Sequence, residues 1–189
     1  MKITGIATGI IVSLFLCLAL PGVALGQATK GQYVADFGLA YAKALDSDAK
    51  SGFIGINLFA GKMITNNLCL GLGSGGDIIS YEKVDNYHSR LAVIPLLLKA
   101  KYFVNLGPML QAYVSAGAGA YVVSPHLKEP IGDISYSMNQ PGGAVGVGID
   151  YWFLLLQGVG FSVEYHMFNT DVDPFGYFAA RIEYCLIKL

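Results

Sequence analysis

From Gln32 onward the chain keeps a period of two: segment after segment alternates large apolar side chains with small or polar ones. Successive side chains of a strand point to opposite sides, so this period predicts extended segments with two chemically different faces. Eight such segments can be read, and no stretch beyond residue 26 has the 18 or more uninterrupted apolar residues of a membrane-crossing helix.

In the first segment Tyr33, Ala35, Phe37, Leu39 and Tyr41 share one face, and Val34, Asp36, Gly38 and Ala40 the other. The second sets Ile54, Ile56, Leu58 and Ala60 against Gly55, Asn57 and Gly61, with Phe53 and Phe59 leaving its faces ambiguous. Leu68, Leu70 and Leu72 oppose Cys69, Gly71 and Gly73 in the third; Ile94, Leu96 and Leu98 oppose Lys99 and Lys101 in the fourth. The fifth alternates Ala112 through Val122 with Gln111 through Tyr121, and the sixth opposes Val145, Val147 and Ile149 to Gly146, Gly148 and Asp150. The seventh sets Val159, Phe161, Val163 and Tyr165 against Ser162, Glu164 and His166; the eighth sets Phe178, Ile182 and Tyr184 against Arg181, Glu183 and Cys185.

Which face lies inside is decided by the acids. Nine of the thirteen (Asp46, Asp48, Asp77, Glu82, Asp85, Glu129, Asp133, Asp171 and Asp173) fall in expected loops. The remaining four, Asp36, Asp150, Glu164 and Glu183, all sit on the small-residue face, as do Lys99, Lys101 and Arg181. An exterior of glycine and alanine with seven charges would be sparse in water, whereas a narrow lumen needs small residues and a few paired charges. With 54% hydrophobic and only 13% charged residues, the apolar faces are expected to meet lipid. The expected fold is an all-β, eight-stranded antiparallel up-and-down transmembrane β-barrel; a soluble, lipocalin-like barrel is its rival and would stay monodisperse without detergent. About ten residues at roughly 3.3 Å each, tilted near 45°, cover an apolar band on the order of 25 Å. Tyr41, Tyr102, Tyr151, Tyr165 and Tyr184 stand at or near the ends of the apolar stripes, where the rings of an interfacial girdle belong.

At the N-terminus Lys2 precedes an uncharged apolar stretch from Ile3 to Leu20, then Pro21 and the small residues Ala24 and Gly26. This predicts a secretory signal peptide over 1–26, cleaved after Gly26, and a mature barrel over 27–189. Cys17 follows Phe15 and Leu16 within the apolar core, which argues against lipoprotein processing. Three connections, 61–67, 104–108 and 153–158, are short; 44–51, 75–89, 124–142 and 169–175 are mostly longer and polar. An even strand count then predicts periplasmic termini and four outer loops.

The stretch Ile94-Pro95-Leu96 through Lys101-Tyr102-Phe103, followed by Tyr113-Val114-Ser115-Ala116-Gly117-Ala118-Gly119, resembles a pattern of the small outer-membrane β-barrel proteins of the OmpA, OmpX and OmpW type. The resemblance spans the mature chain. It implies a bacterial outer-membrane location in a Gram-negative cell envelope, surroundings of outer-membrane lipid and lipopolysaccharide, and insertion by the barrel assembly machinery. One departure concerns the C-terminus: such barrels usually end on Phe or Trp, whereas this chain ends Tyr184-Cys185-Leu186-Ile187-Lys188-Leu189.

For chemistry, the lumen-facing charges are the candidates. Glu164 and Arg181 lie on consecutive strands and could pair, with Asp36, Lys99, Lys101, Asp150 and Glu183 extending a network. Three readings follow: a structural, adhesive or surface-interaction barrel with a side-chain-filled polar lumen, a narrow channel for small or apolar solutes, or a lipid-modifying enzyme. The enzyme reading rests on His88, His126 and His166, the last sharing its face with Ser162 and Glu164. The expectation is no catalytic site, no metal site and no cofactor, since paired Cys or His spacing is missing and Gly71, Gly73, Gly75 and Gly76 lack the Lys-Ser/Thr of a phosphate loop. Cys69 and Cys185 come from non-neighbouring strands and are expected to be free thiols. No basic stripe marks nucleic-acid binding. The segment 124–142, with Pro125, Pro130 and Pro141, is the expected place for an extracellular ligand. The four outer loops hold nine acids against Lys50, Lys83, Arg90 and Lys128, a set suited to divalent-cation bridging to lipopolysaccharide.

Overall fold

The computed structural model describes residues 28–45, 54–80, 88–129, 132–135, 137–170 and 173–188. The expected signal peptide and Leu189 lie outside them. Nine strands form: β1 (Tyr33–Ala44), β2 (Ile54–Met63), β3 (Leu68–Ser80), β4 (His88–Asn105), β5 (Leu110–Glu129), β6 (Gly132–Ser135), β7 (Met138–Leu154), β8 (Gln157–Phe168) and β9 (Phe175–Lys188). Every pairing is antiparallel, neighbours follow chain order, and the β1–β9 pair completes the circle. β6 is no separate wall element: the pairs His126↔Ser135 and Val123↔Met138 share one register, so β6 and β7 continue each other against β5. The result is a closed, eight-stranded up-and-down transmembrane barrel. Closure is what lipid demands, because an open sheet edge would leave backbone donors and acceptors unpaired in hydrocarbon.

The alternation resolves as the charges indicate. Leu72, Leu98 and Ile182 point outward at 69%, 67% and 68% exposure, whereas Lys99, Lys101, Glu164 and Arg181 are buried in the lumen. The ambiguous second strand settles with Phe59 inside and Ile56 and Leu58 outside. Tyr33, Tyr102, Tyr151 and Tyr184 ring the terminal end, where β1 begins and β9 ends; Tyr41, Tyr165 and Phe178 mark the far end. Tyr33 and Tyr41 are eight residues apart on β1, roughly 26 Å along the strand and about 20 Å along the axis at a tilt near 40°.

The terminal end is stitched by tight connections. Leu106 N–H donates to Leu110 C=O (2.9 Å), Trp152 N–H to Met109 C=O (2.8 Å), and Ile187 N–H to Leu156 C=O (3.0 Å). The chain before β1 turns across this mouth at Gly31, whose φ of 95° favours glycine, and lays Ala28 into the interior.

Two sequence expectations change. Residues 75–89 and 124–142 are not loops through most of their length. β3 runs to Ser80 and β4 starts at His88, while β5 runs to Glu129 against β6 and β7. Asp77 therefore belongs to a strand, and its side chain is buried in the lumen. Its parity with Cys69, Gly71 and Gly73 was the available signal, masked by side-chain-free Gly75 and Gly76. The charged lumen thus holds five acids, not four.

Candidate functional site

The lumen is built in three layers. Near the termini, Val34, Phe59, Met63, Phe103, Trp152 and Ile187 form an apolar layer with Ala28, Cys69, Tyr113 and Cys185. At the far end Ile79, Val93, Leu97, Tyr121, Phe168 and Tyr177 form a second, completed by Val123 and the alanines 42, 44, 144 and 179. Between them lie the charges. Asp36, Lys99, Lys101, Asp150, Glu164, Arg181 and Glu183 are each 4% exposed or less.

Glu164 is the hub of the first charge group. Its Oε1 accepts from Lys99 Nζ and from Ser115 Oγ (3.2 Å), and its Oε2 accepts from Arg181 Nη1. Arg181 Nη2 also lies 2.8 Å from His166 Nε2. A guanidinium only donates, so His166 Nε2 accepts and the imidazole proton sits on Nδ1. That nitrogen, 3.0 Å away, donates to Tyr121 Oη, and Tyr121 in turn donates to the Gly143 carbonyl at 2.8 Å. The 3.3 Å approach of Glu164 Oε2 to the same His nitrogen is held by the guanidinium that both accept from.

Lys101 forms the second group, donating to Asp36 Oδ2 with its ammonium 4.6 Å from the Phe59 ring centroid and 4.4 Å from that of Tyr113. Two ring faces and one carboxylate replace the water that a buried ammonium loses. Glu183 joins through neutral donors, Asn57 Nδ2 at 2.6 Å and Tyr113 Oη at 3.1 Å. Asp150 stands apart from the ion pairs and faces the Cys185 thiol at 3.7 Å.

Sequence reasoning missed several polar members. Asp77 accepts from Tyr177 Oη at 2.9 Å. Trp152 Nε1 donates to Gln111 Oε1 at 2.9 Å, and Gln111 Nε2 to Asn105 Oδ1 at 2.7 Å, so the polar tips of the terminal-end plug are paired. Glycine makes the interior roomy enough. A Cβ on Gly73 would come 2.5 Å from Lys99 Cδ, and one on Gly117 2.7 Å from Lys99 Cγ.

Among the described residues, three cations meet five acids in the lumen, and the acids outside the ion pairs, Asp77, Asp150 and Glu183, are held by neutral donors. Both ring nitrogens of His166 face Tyr121 and Arg181, leaving neither to Ser162. His88 and His126 are on paired strands at the far end, His88 opposite Lys128 and His126 opposite Arg90, and their side chains lie outside the described residues. Among the described residues, no three or more His, Cys, Asp or Glu side chains are grouped to hold a metal ion. Cys69 and Cys185 are free and buried.

A family profile described as "Outer membrane protein beta-barrel domain" matches residues 10–180. Among solved structures, neisserial surface protein A is similar at 17% identity and a TM-score of 0.60, over 84% of this chain and 98% of that one. The attachment invasion locus protein Ail of Yersinia pestis, in complex with the heparin analogue sucrose octasulfate, aligns at 16% identity and a TM-score of 0.57, over 84% and 100%. OprG of Pseudomonas aeruginosa aligns at 12% identity and a TM-score of 0.55, over 88% and 99%. No curated protein matches the chain. At these identities the likeness to solved structures is one of fold.

Proposed function

We propose that this chain, which belongs to the outer membrane protein beta-barrel domain family and resides in the bacterial outer membrane, serves there as a closed scaffold that presents a surface-interaction hairpin. Its lumen charges act as a structural plug in this reading. The observation that supports it is the position of the charged layer between two aromatic-rich apolar layers of buried side chains. A solute path would have to displace Trp152 and Phe103 at one end, Tyr121 and Phe168 at the other, and break the ion pairs between. Buried charges are tolerable when they are paired or hydrogen-bonded, as Asp36 and Glu164 are by cations and Asp77, Asp150 and Glu183 by neutral donors, so a charged interior is compatible with a purely structural role.

The interacting part is the far-end hairpin. β5 and β6–β7 keep pairing beyond Gly142↔Phe168, the last β7–β8 pair, so the hairpin rises above the rim on one side. In this reading the termini are periplasmic and the hairpin extracellular, with lipopolysaccharide around the far rim and the barrel assembly machinery inserting the chain. A short epitope inserted between Pro130 and Ile131 tests this. Antibody labelling of intact cells is the expected result; labelling only after the outer membrane is opened overturns the reading.

A further inference from the structure

Between β1 and β2 the outer wall carries two facing alanines, a pairing that recurs between β4 and β5 at Ala100↔Ala116. Ala35 of β1 pairs with Ala60 of β2, and the row continues as Leu186 on one side and Leu72 on the other. Two depressions, of about 640 and 500 Å³, share Ala35, Ala60 and Leu72, which makes them one trough in the lipid-facing surface. It extends from the Tyr33↔Lys62 row to the row of Phe37, Leu58 and Ser74, on the order of 13 Å along the strands.

The end of the trough nearer the termini is cationic. Lys62 is exposed, with Nζ 5.4 Å from the centroid of the Tyr33 ring, at the level of the girdle where headgroups lie. Lys188 is opposite Tyr33 on the other side in the register, and Lys30 is exposed three residues before Tyr33. Outside the lumen, the described residues at this end include no acid. The connections here are apolar, with Ile64, Leu106, Leu154, Leu155 and Leu156 exposed, as suits turns that sit within the headgroup layer.

We propose that this trough is a binding site for an anionic phospholipid, one acyl chain lying on Ala35 and Ala60 and the phosphate meeting the Lys62 ammonium. The alanines supply depth for a methylene chain, and the lysines supply a charge that a zwitterionic lipid answers less well. The proposal rests on the reading above, which puts lipopolysaccharide at the far rim and so leaves phospholipid to the terminal end; its test in micelles does not depend on orientation, so the two can fail separately.

The test is native mass spectrometry of the full chain released from micelles containing equal phosphatidylglycerol and phosphatidylethanolamine. The expected result is preferential retention of phosphatidylglycerol. Lys62→Gln lowers that preference about fivefold, and Lys62→Arg keeps it. Ala60→Leu fills the trough and reduces retention of both lipids; Ala35→Leu repeats the filling from the neighbouring strand, so a folding failure at one position leaves the other to decide. Equal retention of the two lipids, or a preference unchanged in Lys62→Gln, overturns the proposal. A dimer that Ala60→Leu or Ala35→Leu dissolves assigns the trough to a second copy and likewise overturns it.

Discussion

Lys99 donates to Glu164 across the lumen, from β4 to a strand three places away around the wall, while Lys101, two residues along the same strand, reaches Asp36 three places away in the other direction. Adjacent inward lysines of one strand thus tie it to two distant parts of the barrel. Glu164→Leu should destabilise the barrel by about 3–5 kcal/mol, because it leaves Lys99 and Arg181 buried without their acid. Lys99→Met should cost less, since Glu164 retains Arg181. Urea unfolding in lipid vesicles measures both, and equal effects would contradict the hub role of Glu164.

Space around the Lys99 stem is set by glycine. Gly117→Ala should cost about 1–3 kcal/mol, the range for overpacking a filled interior, because its new methyl would press on Lys99 Cγ. Pairing it with Lys99→Ala should recover part of that loss, read in the same unfolding assay. A Gly117→Ala barrel as stable as the parent would show that the lysine stem lies elsewhere.

Charge on the outer face should be penalised by depth. Ile182→Arg, in mid-band on β9, should destabilise by about 2–4 kcal/mol, whereas Val104→Arg, at the terminal-end rim of β4, should cost about 0–1 kcal/mol. Similar costs at the two positions would place the apolar band differently.

Trp152 is the only tryptophan and is buried in the terminal-end plug on Gln111. Its fluorescence should be blue-shifted and quenched little by brominated lipid or by acrylamide, since it faces neither. Strong quenching by the lipid would put the ring on the outer face; strong quenching by acrylamide would show a wet lumen.

Much of this barrel was legible because one side of most strands is chemically uniform. β9 reads without ambiguity, since Arg181 and Glu183 alternate with Phe178, Ile182 and Tyr184. Phe59 was ambiguous because a lumen plug also uses large apolar residues, which the rule of greasy outside and small inside does not anticipate. The far-end extension reads as a loop because the segment 124–142 is long and polar, and Pro125, Pro130 and Pro141 give no strand signal. Pro141 nevertheless stands in β7, one residue beyond the last β8 pair, where one side of the strand needs no donor. The Glu164–Arg181 juxtaposition followed from adjacent strands and shared parity. The cross-lumen bonds of Lys99 and Lys101 could not be read, because they depend on barrel closure and stagger and not on any local pattern.

The closed lumen is tested most directly by single-channel recording of the refolded, full barrel in a planar bilayer. The layered plug predicts insertion without unit conductance, and opening only when it is breached, as in a Trp152→Ala, Phe103→Ala, Tyr121→Ala triple variant. Regular, stable conductance steps from the unmodified barrel would contradict the account and make the lumen charges the lining of a pore.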